Sequence, residues 1–292
     1  MPRVPRRSQL ADDVCYHIMN RGHNRERVFR DDQDRLEFLA RLDQAKSRHG
    51  LLLHHYCLMS NHFHLVIRPR RPLDLSRIVA GLLRSYVHYY HRRYRFVGHL
   101  WQGRFKGPAV QDGVYLLSCG RYVERNPLSA GMVKQPWEYR WSSCRHYALG
   151  ETDARVDDSP EILELSPTVA RRQKLWREFL LAEDPRELQI ERGDWAIGDA
   201  KFRLRLCHLH GRAVAADRAS RREFSCNFYT GKGLRKLSPF SRLFLSCPDA
   251  NKLAKKLKPW LKKLKWPGQK SMLKRFGEYV DVNATEEAVD LN

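Results

Sequence analysis

Asn61-His62-Phe63-His64-Leu65-Val66-Ile67 is the stretch in which residue type and spacing bear most directly on chemistry. Side chains alternate along a strand, so His62 and His64 would share one face while Phe63, Leu65 and Ile67 line the other, toward a core. Two imidazoles on one face can share a divalent metal ion. The same pattern also describes two surface histidines on a half-exposed strand. A second group lies in GRYVERNPLSAGMV. On a helix, residues four apart lie on one face, so the Tyr122 hydroxyl and the Asn126 amide can approach one point. An amide oxygen is a hard ligand suited to Mg²⁺ or Mn²⁺, able to complete a site begun by the two histidines. The plainer alternative makes Tyr122 an ordinary half-buried aromatic and Asn126 a helix C-cap ahead of Pro127.

The surrounding sequence supplies elements to position these groups. Val14–Asn20 reads as a strand closed by Arg21-Gly22, and Asp32 as the cap of a helix to Arg48 that Gly50 stops. Leu51–Met59 and His62–Arg68, separated by Ser60-Asn61, form a hairpin. His55 or its neighbour His54 must then share a face with the metal pair or lie near it, and His17 on the first strand is a further candidate for that surface. Leu75–Arg93 is helical by period, Gly98–Val110 is a strand or extended loop, and Asp112 caps a last helix that Pro127 ends. The order is the split βαβ arrangement of a ferredoxin-like α+β domain with an antiparallel sheet, over residues 1–150. Beyond the acidic, turn-rich ETDARVDDSPEILELSP, residues 151–218 read as a small helical accessory region and 219–292 as a basic C-terminal extension.

The chain has 292 residues and carries 54 Lys and Arg against 33 Asp and Glu, a net charge of +21 that attracts polyanions. Nucleic acid is the first partner implied. No apolar run approaches the roughly 18 residues of a membrane-spanning helix, and the basic opening residues lead into no apolar stretch, so a cytoplasmic protein without a membrane partner is expected. The 7 cysteines are scattered with no C-x-x-C, which excludes a zinc knuckle and reads as reduced thiols. Gly231-Lys232-Gly233 lacks the spacing of a phosphate-binding loop, so nothing points to ATP.

LMSNHFHLVIRP, LWQGRFKGPAVQ and RYVERNPLSAGMV, in this order and at these separations, resemble the single-tyrosine transposases with an HUH motif, specifically the REP-associated tyrosine transposases. The resemblance covers roughly residues 10–150, including the continuation around WSSCRHYALGE; beyond about residue 218 it ends. It implies a metal-dependent single-strand DNA endonuclease and strand transferase in which His62 and His64 bind Mg²⁺ or Mn²⁺, Tyr122 is the nucleophile, and Asn126 stands where the family's helix supplies a further polar ligand. Tyr115, seven residues earlier, ranks behind Tyr122 because only Tyr122 stands four residues before Asn-Pro. The resemblance also implies hairpin-forming repeats as substrate and a homodimer.

Arg84, Tyr89, Arg92 and Arg93 mix cations with aromatics as a surface that grips phosphates and stacks unpaired bases, and Trp101, Arg104 and Lys106 form a second such patch. Lys252–Arg275, with ten Lys or Arg and no acid, suits non-specific DNA attraction. A non-catalytic nucleic-acid-binding protein of the same fold and a phosphodiesterase that activates water would present the same charge. They differ from the transferase in what Tyr122 does.

Overall fold

Strand β3 (His62–Arg68) begins and ends where its alternation predicts, and the sheet is built around it. The computed structural model describes residues 10–182 and 195–209. β3 pairs antiparallel with β1 (Cys15–Arg21) on one side and β2 (Leu52–Leu58) on the other. β4 (Ala109–Val110) extends β1 antiparallel, and β5 (Ala196–Ile197) joins β4 in parallel, giving the order β2-β3-β1-β4-β5. The first four strands have the ferredoxin-like order. The fifth comes from the region read as purely helical, so the sheet is mostly rather than wholly antiparallel.

Helices α1 (Asp32–His49) and α2 (Leu75–Tyr94) cover one face of the sheet. Phe38 of α1 packs on Phe63 of β3 with ring centroids 5.0 Å apart, and Tyr86 of α2 closes on Phe38 at 5.3 Å. Asp31 rather than Asp32 caps α1, because Asp31 keeps an extended backbone and its carboxylate reaches the Asp34 N–H at 3.1 Å. Gly50 ends the helix in the left-handed region at φ 64°, with its N–H on the Lys46 carbonyl.

Helix α3 (Val114–Ser129) covers the opposite face. Gly113 stands at its N-cap; Asp112, expected there, accepts instead from Arg68 at 2.7 Å. Pro127 does not end α3 but sits in its last turns. Proline leaves the carbonyl four residues back, that of Val123, without its N–H. The Asn126 side chain fills the gap, its Nδ2 donating to the carbonyls of Tyr122 at 2.8 Å and Val123 at 3.3 Å. Asn126 is therefore an internal brace of α3, not a C-cap.

Between Gly98 and Val110 only β4 is regular strand; the rest follows β1 through isolated bridges, Met19 with Lys106 and Gly22 with Trp101. α4 (Cys144–Leu149), α5 (Pro160–Glu164) and α6 (Val169–Leu181) gather a second small core from Tyr147, Ile162, Trp176 and Leu180; α7 (Ala200–Leu209) follows β5. Cys15, Cys57, Cys119 and Cys144 are free and buried. No helix among the described residues is long and apolar enough to cross a membrane. The basic segment Lys252–Arg275 and the rest of 219–292 lie outside the described residues.

Candidate active site

Register decides what surrounds the HUH pair. On β1, Arg21 stands opposite His62, Met19 opposite His64 and His17 opposite Val66, so His17, Arg21, His62 and His64 share the face that α3 covers. His64 Nδ1 lies 2.8 Å from His17 Nε2, with the two rings stacked at 24° and 5.0 Å. The His62 and His64 rings are 5.0 Å apart and nearly perpendicular. Tyr122 descends from α3 edge-on to both His64, at 5.7 Å, and His17, at 5.8 Å. One chain thus brings His62, His64, Tyr122 and Asn126 to one place.

Burial keeps these imidazoles neutral. It holds His17 down to about 3. Burial, with the positive charge of Arg21 beside it and a partly offsetting hydrogen bond to Asn126, holds His62 down to about 4. His64 lies well below the ordinary histidine range through burial, reinforced by His17, His62 and Arg21. Neutral imidazoles have a lone pair to give to a metal.

The hydrogen bonds show which lone pairs remain. Asn61 donates from Nδ2 to the Arg25 carbonyl at 3.1 Å, so its Oδ1 is the atom that accepts from His62 Nδ1–H at 2.6 Å. His62 Nε2 is then bare. Asn126 has committed Nδ2 to α3 carbonyls, so Oδ1 is what it turns to His62. Two lone pairs facing each other can be bridged by a cation, by a water or by a hydrogen on the charged ring. Among the described residues no group of three or more His, Cys, Asp or Glu stands ready to hold a metal. The third donor here is an amide, and two imidazoles with one amide oxygen are a set of neutral N and O donors of the kind a divalent ion accepts.

α3 is held at its angle by a group that sequence reasoning missed. Glu124, fully buried two residues from both Tyr122 and Asn126, accepts from His55 Nδ1–H at 2.9 Å, Ser143 Oγ at 2.6 Å and Trp176 Nε1 at 2.8 Å. Gly120 lets the helix come this close, since a Cβ there would lie 2.4 Å from His55 Nε2. His55 therefore braces α3, whereas His54, at a bulge in β2, bonds the Asp157 carbonyl. Tyr115 is half-buried against the main core. An acid flanked by the two functional residues of one helix was the available signal for Glu124; Arg21 and Asn61 needed the register and the turn.

The predicted DNA-contacting residues separate into two places. Trp101, Arg104 and Lys106 lie on the segment beside β1, tied there by Gln102 N–H to the Arg21 carbonyl and Asn20 Nδ2 to the Gly103 carbonyl. Arg104 and Lys106 are exposed next to the site, but the Trp101 ring packs on Phe63 and Tyr86. Arg84, Tyr89, Arg92 and Arg93 are on α2, across the sheet. Tyr89 and Arg93 also serve the fold, donating to the buried Asp34 carboxylate at 2.9 and 2.8 Å, with a second Arg93 bond to Asp31, while Arg93 itself is exposed. Arg84 and Arg92 stay exposed, and Arg92 lines a pocket with Arg41, His88, Tyr89 and Arg93.

Residues 11–126 match the family described as IS200-like transposases. This stretch, about two fifths of the chain, is similar to that family. A solved structure, of a REP-associated tyrosine transposase bound to a REP hairpin, aligns at 15% identity with a TM-score of 0.45, over 55% of this chain and 93% of that one. No curated protein matches the chain. The matched stretch contains His17, Arg21, His62, His64, Tyr122 and Asn126 and ends on the last of them. Ser143 and Trp176, which anchor α3 through Glu124, lie beyond it, so the helix that carries Tyr122 is anchored by chain outside the match.

Proposed function

We propose that the chain is a transposase of this family, which cuts and rejoins single-stranded DNA at hairpin-forming repeats through a covalent phosphotyrosine intermediate. The observation that supports this best is the convergence of Tyr122, His62, His64 and Asn126 from two separate elements on one spot. His62, His64 and Asn126 would hold the divalent ion, Mg²⁺ or Mn²⁺. When bound, that ion supplies Lewis-acid neutralisation of the charge that builds on a scissile phosphate. Arg21, exposed opposite His62, adds a fixed positive charge for the same phosphate. The Tyr122 oxygen forms a bond to phosphorus as the bond from phosphorus to the departing 3′-oxygen breaks. The phenolic proton is lost to solvent, and the leaving oxygen takes one up to become a 3′-hydroxyl. Attack of a 3′-hydroxyl on the phosphotyrosine reverses the step, so joining needs no ATP.

Labelled hairpin DNAs with single-stranded flanks, including repeats next to the protein's own gene, are incubated with Mg²⁺ or Mn²⁺ and run on a denaturing gel. Wild type is expected to give a metal-dependent adduct that survives denaturant, and Tyr122→Phe to give none while binding the hairpin as before. Cleavage without adduct in both proteins means a water-activating phosphodiesterase. Binding with neither product means a non-catalytic DNA-binding protein.

A further inference from the structure

His17 is fully buried, yet its Nδ1 has no hydrogen-bond partner. Its stacking on His64 and its edge contact with Tyr122 would be kept by a phenylalanine, which would bury no unpaired nitrogen. Packing alone therefore does not account for a histidine at this position. What a phenylalanine could not supply is the 2.8 Å bond between His17 Nε2 and His64 Nδ1.

That bond has two proton placements. If His17 Nε2–H donates, His64 keeps its own hydrogen on Nε2 and has no lone pair to give at the site. If His64 Nδ1–H donates, Nε2 is bare. The neighbouring ligand has the second arrangement: Asn61 Oδ1 holds the His62 hydrogen on Nδ1 and leaves Nε2 free. Either placement leaves the His17 Nδ1 unpaired, so burial does not choose between them. The requirement of the site does.

We propose that His17 is a positioning residue, the acceptor that holds His64 as its Nδ1–H tautomer so that Nε2 is available to a divalent ion. The proposal rests on the metal-holding role of His62 and His64 given above. His17 and Asn61 are then a pair, one imidazole and one amide, each orienting a ligand through the ring nitrogen that the ion does not use. Partners of this kind are worth about 10- to 100-fold in metal affinity.

The test uses the full chain in two measurements. Long-range ¹H–¹⁵N correlation on metal-free, histidine-labelled protein reads the His64 tautomer, and calorimetric titration with Mn²⁺ reads affinity. In wild type, His64 is expected as Nδ1–H. His17→Phe should keep both ring contacts, shift His64 toward Nε2–H and weaken Mn²⁺ binding by about 10- to 100-fold. His17→Gln, whose amide oxygen can stand where Nε2 does, should restore most of the loss. Wild-type His64 carrying its hydrogen on Nε2, or Mn²⁺ binding equal in wild type and His17→Phe, overturns the proposal alone. The expected tautomer in a wild type that binds no Mn²⁺ overturns the metal-holding role of His62 and His64 along with it. Should His17→Phe fail to fold, the wild-type tautomer and the glutamine variant still decide.

Discussion

The two faces of one sheet are made by different physics. Under α1 and α2, Ile18, Phe63, Leu65 and Ile67 meet Phe38 and Tyr86 in a dry, aromatic layer where shape and apolar area do the holding. Under α3 the same strands present His17, His55, His64, Cys15 and Cys57, all buried; the helix is held by directed hydrogen bonds to Glu124, and His17 bonds His64 from strand to strand. An apolar face tolerates repacking and gives no handle for chemistry. A polar face is costly to bury, so its groups must be paired, and the few lone pairs left over mark where something else is meant to bind.

Acid should separate the two faces most strongly. His17, His62 and His64 are neutral in the folded chain because their pKa values are depressed, whereas the unfolded chain takes up protons as pH falls through 6.5. The unfolded state then binds more protons than the native state, so stability is complete above 6.5 and falls below it. For His62 the loss continues down to about 4, and for His17 to about 3. Each such group gives up ~1.4 kcal/mol per pH unit within its window. Denaturant unfolding at pH 7.5 and 5 should show a drop of several kcal/mol, and His17→Phe should remove part of it. A flat profile would mean that the polar face is wet.

Phe63→Ala strikes the apolar face. It should cost about 3–5 kcal/mol by opening a cavity among Phe38, Tyr86 and Trp101. Thermal melting should report this as a drop of roughly 10 °C, with residual folded protein still able to form the tyrosine adduct. Glu124→Gln keeps volume but replaces an acceptor of three donors with a group that must donate. A loss of about 2–3 kcal/mol is expected, accompanied by slower adduct formation because α3 loses its brace. An unchanged melting temperature would show that Glu124 is not the anchor.

Asn126→Ala is the smallest effect on stability, about 1 kcal/mol from uncovering the Val123 carbonyl above Pro127. Its effect on Mn²⁺ affinity should be far larger than its effect on melting. Equal and modest changes in both would make Asn126 a brace alone.

Much of this was legible beforehand. The H-x-H alternation placed His62 and His64 together because strand periodicity is two whatever the partner strand, and Tyr122 and Asn126 followed from the helical period in the same way. The first four strands and three main helices were readable from apolar spacing and from Gly50 as a stop. Errors came where a short-range rule met a competing bond. Asp112 was drawn to Arg68 instead of a helix end, and Pro127 was accepted inside α3 because Asn126 supplied the missing hydrogen bond. Tyr89 and Arg93 have a structural role that the sequence hides, because nothing local reveals that Asp31 and Asp34, nearly sixty residues earlier, come to meet them.

The sequence by itself determined which residues share a face, since that depends only on the repeat of strand and helix. It also determined the excess of positive charge and the resemblance carried by three motifs. Tertiary structure decided everything that depends on register and on contact between distant segments: that His17 meets His64, that Arg21 stands opposite His62, that Asn61 and Asn126 turn their oxygens to one imidazole, and that Glu124 locks α3 through Ser143 and Trp176. Such pairings are set by how β1, β3 and α3 pack together, and a one-residue slip in any of them would leave the local pattern intact while dismantling the site.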